Sequence, residues 1–114
     1  MRLDLRQKTI ILSAIETFGK EHQIGKLFEE IAELEEAIIK NHFGRDNAEH
    51  IAEEIADVEI MLDQIKLLFA DDELLTKYRA AKLARLRHMI TEQWAGRKEA
   101  AIAERMGCGP IPQT

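Results

Sequence analysis

Residues 48–69 read AEHIAEEIADVEIMLDQIKLLF, and this stretch decides the fold. Ile51, Ile55, Val58, Leu62, Ile65 and Phe69 recur at helical spacing, which marks one apolar stripe of a helix and not the alternation of a strand. The stretch has no Gly or Pro, and its Ala, Leu, Ile and Glu all favour helix. Ile60 and Leu67 fall on the back of this helix, away from the stripe. A helix apolar on two sides is usually buried on two sides, so a subunit interface is expected there.

The same periodicity extends in both directions. Ile24, Leu27, Phe28, Ile31, Leu34 and Ile38 predict a helix over about residues 24–40,. Ile10, Ile11, Ala14, Ile15 and Phe18 predict another over about 6–20, ending near Gly19,. Asn41–Asn47, with Gly44, reads as a loop. Asp71 or Asp72 can cap a fourth helix running to about Ile90, and Thr91 can cap a fifth running to about Met106,. The only prolines are Pro110 and Pro112, in a terminal tail over residues 107–114. The expected fold is all-α, a four-helix-bundle core with an additional C-terminal helix, in a single domain over residues 1–106.

The 114 residues suit one domain,. The net charge of −5 excludes a broad basic face for nucleic acid,. Its distribution says more than its total. Residues 21–73 hold 4 basic and 16 acidic groups, whereas residues 74–114 hold 8 basic and 3 acidic. The middle can bind cations and the last part anions, which a protein handling a metal–phosphate complex needs. One cysteine, Cys108, rules out an intrachain disulfide and fits a cytoplasmic location,. No stretch resembles a signal peptide or a membrane span,.

Two acidic pairs carry the chemistry. At about 100° per residue, with Ile31 as the stripe centre, Glu30 falls at about −100° and Glu33 at about −160° on one flank. With Val58 as the centre of the next helix, Asp57 falls at about −100° and Glu54 at about −40°, inside the apolar arc. A buried carboxylate is costly unless something compensates its charge. Lys26 or an arginine of the fourth helix is one candidate partner for Glu54. A cation is the other: Glu30/Glu33 and Glu54/Asp57, on successive antiparallel helices, can converge on one point. Hard oxygen ligands without histidine favour Mg²⁺, or Mn²⁺, over zinc. A di-iron bundle would need Glu-x-x-His pairs, and the sequence has none.

The run Glu29-Glu30-Ile31-Ala32-Glu33, a spacer, then Glu53-Glu54-Ile55-Ala56-Asp57 resembles the EExxE…ExxD signature of MazG-like, all-α nucleoside triphosphate pyrophosphohydrolases. Phe18-Gly19-Lys20-Glu21-His22-Gln23 and Ala37-Ile38 resemble the segments flanking the family's first motif. The resemblance covers about residues 10–90. It implies a four-helix core that forms homodimers or homotetramers. It also implies Mg²⁺-dependent cleavage of a nucleoside triphosphate to the monophosphate and pyrophosphate. Matched by position, Glu30, Glu33, Glu54 and Asp57 become metal ligands, and Glu29 and Glu53 the family's additional acids of more variable role; the attacking water is then either metal-bound or held by Glu29 or Glu53. Lys82 and Arg85, on one helical face with Tyr78 and Met89, would meet the phosphates. Gln23 and Lys26 complete the expected substrate contacts, with Phe18, His22 and Trp94 as candidates around the base.

Within that superfamily, a phosphoribosyl-ATP pyrophosphatase ranks lower, because the His expected shortly after Asp57 is missing. A dimeric dUTPase-like specificity is a further alternative. From a different class, a helical interaction module without activity would have no need of Glu54.

Overall fold

The computed structural model describes residues 3–42, 44 and 48–106. Among them are four helices and no strand: α1 (Leu5–Phe18), α2 (Lys20–His42), α3 (Ala48–Phe69) and α4 (Asp72–Arg105). The chain forms two compact units, Met1–Asp71 and Asp72–Thr114.

In the first unit, Asp4 starts α1 through a reciprocal cap. Its Oδ1 accepts from the Gln7 N–H at 2.8 Å, and its own N–H donates to Gln7 Oε1 at 3.2 Å,. Helix α1 ends at Gly19, whose φ of 89° suits glycine,. The predicted gap between residues 20 and 24 does not exist. Gly19 donates to Ile15 O at 2.8 Å and accepts from the Gln23 N–H at 3.1 Å, so one residue ends α1 and begins α2. Helix α2 reaches His42, and Gly44, with φ of 76°, donates to Asn41 O at 2.9 Å. Residues 43 and 45–47 of the predicted loop lie outside the described residues. Helix α3 has the predicted bounds.

Helices α2 and α3 form an antiparallel hairpin, and α1 touches both. Its interior departs from expectation. The buried line of α2 is Gln23, Glu30 and Ala37, one residue every seven. On α3, Met61 and Gln64 are buried, with Glu54 half-buried. The predicted stripe centre, Ile31, is 41% exposed, and Phe28, Ile38, Ile55, Leu62 and Phe69 are exposed too. The interior of the hairpin thus lies about a quarter turn from the apolar stripe. Ile24, Leu27 and Leu34 on α2 and Ile51, Val58 and Ile65 on α3 remain half-buried at its edge, and the rest of each stripe is outward.

The second unit contains α4, 34 residues with none buried. The predicted fifth helix does not form as a separate element, because α4 runs through Thr91 without a break. The Thr91 hydroxyl donates back to Arg87 O at 2.9 Å, the mid-helix use of a threonine and not its capping use. His88 and Glu92 pair at 3.2 Å across the expected break. The predicted tail at 107–114, with Cys108, lies outside the described residues. No described helix is long and apolar enough to cross a membrane.

Candidate metal centre

Each helix of the hairpin brings one glutamate inward in the same way. On α2, Lys26 stands one turn before Glu30, its Nζ 3.4 Å from Glu30 Oε1 and 3.6 Å from Glu29 Oε2. On α3, His50 stands one turn before Glu54, its Nε2 3.2 Å from Glu54 Oε1. Both are i, i+4 neighbours, the spacing at which helical side chains meet. The other two oxygens, Glu30 Oε2 and Glu54 Oε2, are buried with no hydrogen-bond partner among the described residues. The two side chains are only 10% and 14% exposed. An acceptor buried without a donor is unfavourable by about 1–3 kcal/mol, and more when charged.

Glu33 completes the cluster. One oxygen each from Glu30, Glu33 and Glu54 lie within 4.8 Å of one another. Asp57 is exposed and stands outside this trio, yet its charge still acts on Glu30. Burial pushes the Glu30 carboxyl above its ordinary value. Lys26 opposes that shift, while Glu33 and Asp57 reinforce it. The Lys26 ammonium is raised in turn, chiefly by Glu30 and then by Glu29.

These residues fit a hard divalent cation. All three donors are carboxylates, and two of their oxygens are orphaned. Oxygens around one Mg²⁺ stand roughly 2.9 to 4.2 Å apart, from its bond length of about 2.1 Å, a spacing the cluster can reach with small side-chain movements. The expected alternative, Lys26 as the counter-ion of Glu54, is not what forms. Lys26 pairs with Glu29 and Glu30.

The remaining predicted residues are placed as follows. Glu29 and Glu53 are exposed on the outer flank of their helices. Gln23 is buried two turns before Glu30 and donates through Nε2 to Gln64 Oε1 at 2.7 Å. Lys82 and Arg85 are exposed on α4, in the second unit. Phe18 is 58% exposed and stacks on His22, ring centroids 5.7 Å apart. Trp94 is exposed, with Arg97 5.3 Å from its ring.

Sequence reasoning missed His50 and Gln64. The His50–Glu54 spacing was a usable signal, as was a glutamine three residues after Met61 on the same side of α3. A groove of about 270 Å³ between α1 and α3, lined by Leu3, Gln7, Ile60 and Asp63 among others, is a separate feature on another face of α3. No family model, curated protein or solved structure matches the chain.

Proposed function

We propose that the chain is a Mg²⁺-dependent nucleoside triphosphate pyrophosphohydrolase, releasing a nucleoside monophosphate and pyrophosphate. The observation that carries this reading is that Glu30 and Glu54, which cluster with Glu33 from two helices, each keep one oxygen, Oε2, buried without a partner. Glu30, Glu33 and Glu54 would hold the cation, with Asp57 at its edge; Mn²⁺ could replace Mg²⁺. A bound cation of this kind offsets phosphate charge and favours in-line attack at phosphorus.

The chain's own groups have the remaining tasks. Glu29 and Glu53, beside the ligands and open to solvent, would orient and deprotonate the attacking water. Lys26, already at the carboxylates, would turn its ammonium toward a phosphate once a cation takes over Glu30. Lys82 and Arg85, on the second unit, are proposed for the outer phosphates,; Gln23 is buried with its amide bonded to Gln64 and takes no nucleoside contact.

The apolar residues left outward on α2 and α3 support assembly as a homodimer or homotetramer. The place of action on this reading is the cytoplasm.

The test is a panel of NTPs and dNTPs incubated with Mg²⁺ or EDTA, with products separated by chromatography. Monophosphate and pyrophosphate, lost with EDTA, are expected, and the preferred base separates a general enzyme from a dUTPase-like one. Turnover of phosphoribosyl-ATP alone would transfer the chain to that neighbouring activity. Diphosphate with orthophosphate would overturn the bond assignment. No turnover and no Mg²⁺ binding would leave a helical interaction module.

A further inference from the structure

We infer that Gln64 is a positioning residue that sets the register of α3 against α2 and thereby holds Glu54 beside the Glu30/Glu33 pair; this rests on the metal-binding reading above. Gln64 is 2% exposed and Gln23 5%. Their amides join the two helices through a 2.7 Å hydrogen bond from Gln23 Nε2 to Gln64 Oε1. The outer ends are also engaged: Gln23 Oε1 lies 2.7 Å from His22 Nδ1, and Gln64 Nε2 donates to the Met61 sulfur at 3.5 Å.

In an antiparallel pair, stepping up one helix matches stepping down the other. Seven residues from Gln23 lead to Glu30 and ten to Glu33, while seven back from Gln64 lead to Asp57 and ten to Glu54, so Glu54 stands level with Glu33 and one turn from the level of Glu30. The amide pair and the acids therefore share one register, separated by about 10.5 Å of helix. A slip of one turn would move Glu54 by about 5.4 Å, more than the 4.8 Å that spans the three oxygens.

Among the described residues, the hairpin's half-buried apolar side chains, such as Leu27, Leu34, Val58 and Ile65, add to the fit, but the amide pair is the buried directional contact across it. The hairpin's buried apolar residues are Ala37 and Met61, and apolar contact is non-directional. The amide bond is directional, and slipping would leave two buried amides unpaired. A single buried polar pair is a well-attested way of specifying helix register.

The test is Mg²⁺ titration by calorimetry on the full chain, at a temperature well below melting. Gln64→Met keeps the volume and removes the amide, and Gln23→Met breaks the same bond from the other helix. Each is expected to weaken Mg²⁺ binding about tenfold or more, the usual scale for losing a group that orients ligands. The double variant should be no weaker than either single one, because one bond is removed in all three. Without metal, each single variant should melt lower because it leaves one buried amide unpaired, whereas the double variant should recover much of that loss while its Mg²⁺ affinity stays low, which separates register from mere stability. Wild-type affinity in a folded Gln64→Met or Gln23→Met chain would overturn the inference alone. A wild-type chain that binds no Mg²⁺ would overturn the metal reading, and the inference with it.

Discussion

Glu30 and Glu54 meet from facing helices in matching states: each has Oε1 engaged by a side chain one turn earlier on its own helix, Lys26 or His50, and Oε2 buried without a partner. The engaged oxygens make the metal-free hairpin tolerable, and the orphaned ones make it incomplete. From this follows a strong dependence of stability on a cation. A ligand at about a hundred times its Kd stabilises by about 2.7 kcal/mol. For a small domain that corresponds to a rise in Tm on the order of 10 °C. Differential scanning calorimetry in Mg²⁺ and in EDTA should show it. Identical melting in both would remove the cation from the site.

Glu54→Gln removes a charge from a half-buried position while keeping the side chain's shape. Turnover should fall by more than the roughly hundredfold that loss of an outer partner of a ligand costs. Stability in EDTA should be unchanged or improved, because the repulsion with Glu30 and Glu33 disappears. Chromatographic product assay and thermal melting check the two halves separately. Normal turnover by this variant would refute the role of Glu54.

Acid should act on the metal-free protein in an unusual direction. The folded-state pKa of Glu30 is raised, mainly by burial. Between the unfolded and folded values, the folded chain therefore holds more protons. Stability from this group is present in full below the ordinary carboxylate pKa and is lost as pH rises through the raised value. In EDTA, the wild-type Tm should exceed that of Glu30→Gln least at neutral pH, and the difference should shift in favour of wild type on acidification. Mg²⁺ affinity should fall over the same window, since protons compete for the ligand. Parallel melting curves for the two chains at every pH would contradict the assignment.

Much of this was legible in the sequence, for identifiable reasons. The helices follow from periodicity, and the bounds of α3 match because no Gly or Pro blurs them. The one-residue link at Gly19 was not legible, since only its φ shows that α1 and α2 need no loop. Thr91 carries the same residue type whether it caps a helix or bonds back within one, so the continuous α4 was misread. The acids themselves were legible, and Glu54 is half-buried as its place in the apolar arc implied. Glu30 is the deeper of the two, which was not expected, because the hairpin closes on the flank of Ala37 and not on the stripe of Ile31. A periodicity count finds the most apolar face, whereas the hairpin's interior is centred about a quarter turn from it,.

Lys26 links Glu29 and Glu30 of its own helix, and its removal separates two roles. Lys26 is open to solvent, so Lys26→Met should change metal-free stability little. If the ammonium also contacts a phosphate during turnover, KM for the triphosphate should rise several-fold at saturating Mg²⁺, by about the 1.4 kcal/mol or less that a tenfold change represents. Steady-state kinetics on the preferred nucleotide distinguish this from a structural role. An unchanged KM with a lower Tm would confine Lys26 to charge balance on Glu29 and Glu30.

Helix α3 is apolar on two exposed sides, and one substitution on each tells them apart. Leu62 is 41% exposed on the stripe side, and Ile60 is 48% exposed on the back. On the proposed assembly, these exposed apolar residues would lie in contacts between copies of the chain. Light scattering on the wild-type chain should give a multiple of the single-chain mass. Ile60→Glu should reduce that mass if the back face joins copies, as its apolar pattern implies. Leu62→Glu reports on the stripe edge, which shares with Ile60 the groove beside α1, so a Tm measurement on each variant must accompany the mass. A tetramer built on both faces should fall to a dimer with either change and to a monomer with both. A wild-type chain that is monomeric at every concentration tested would overturn the assembly.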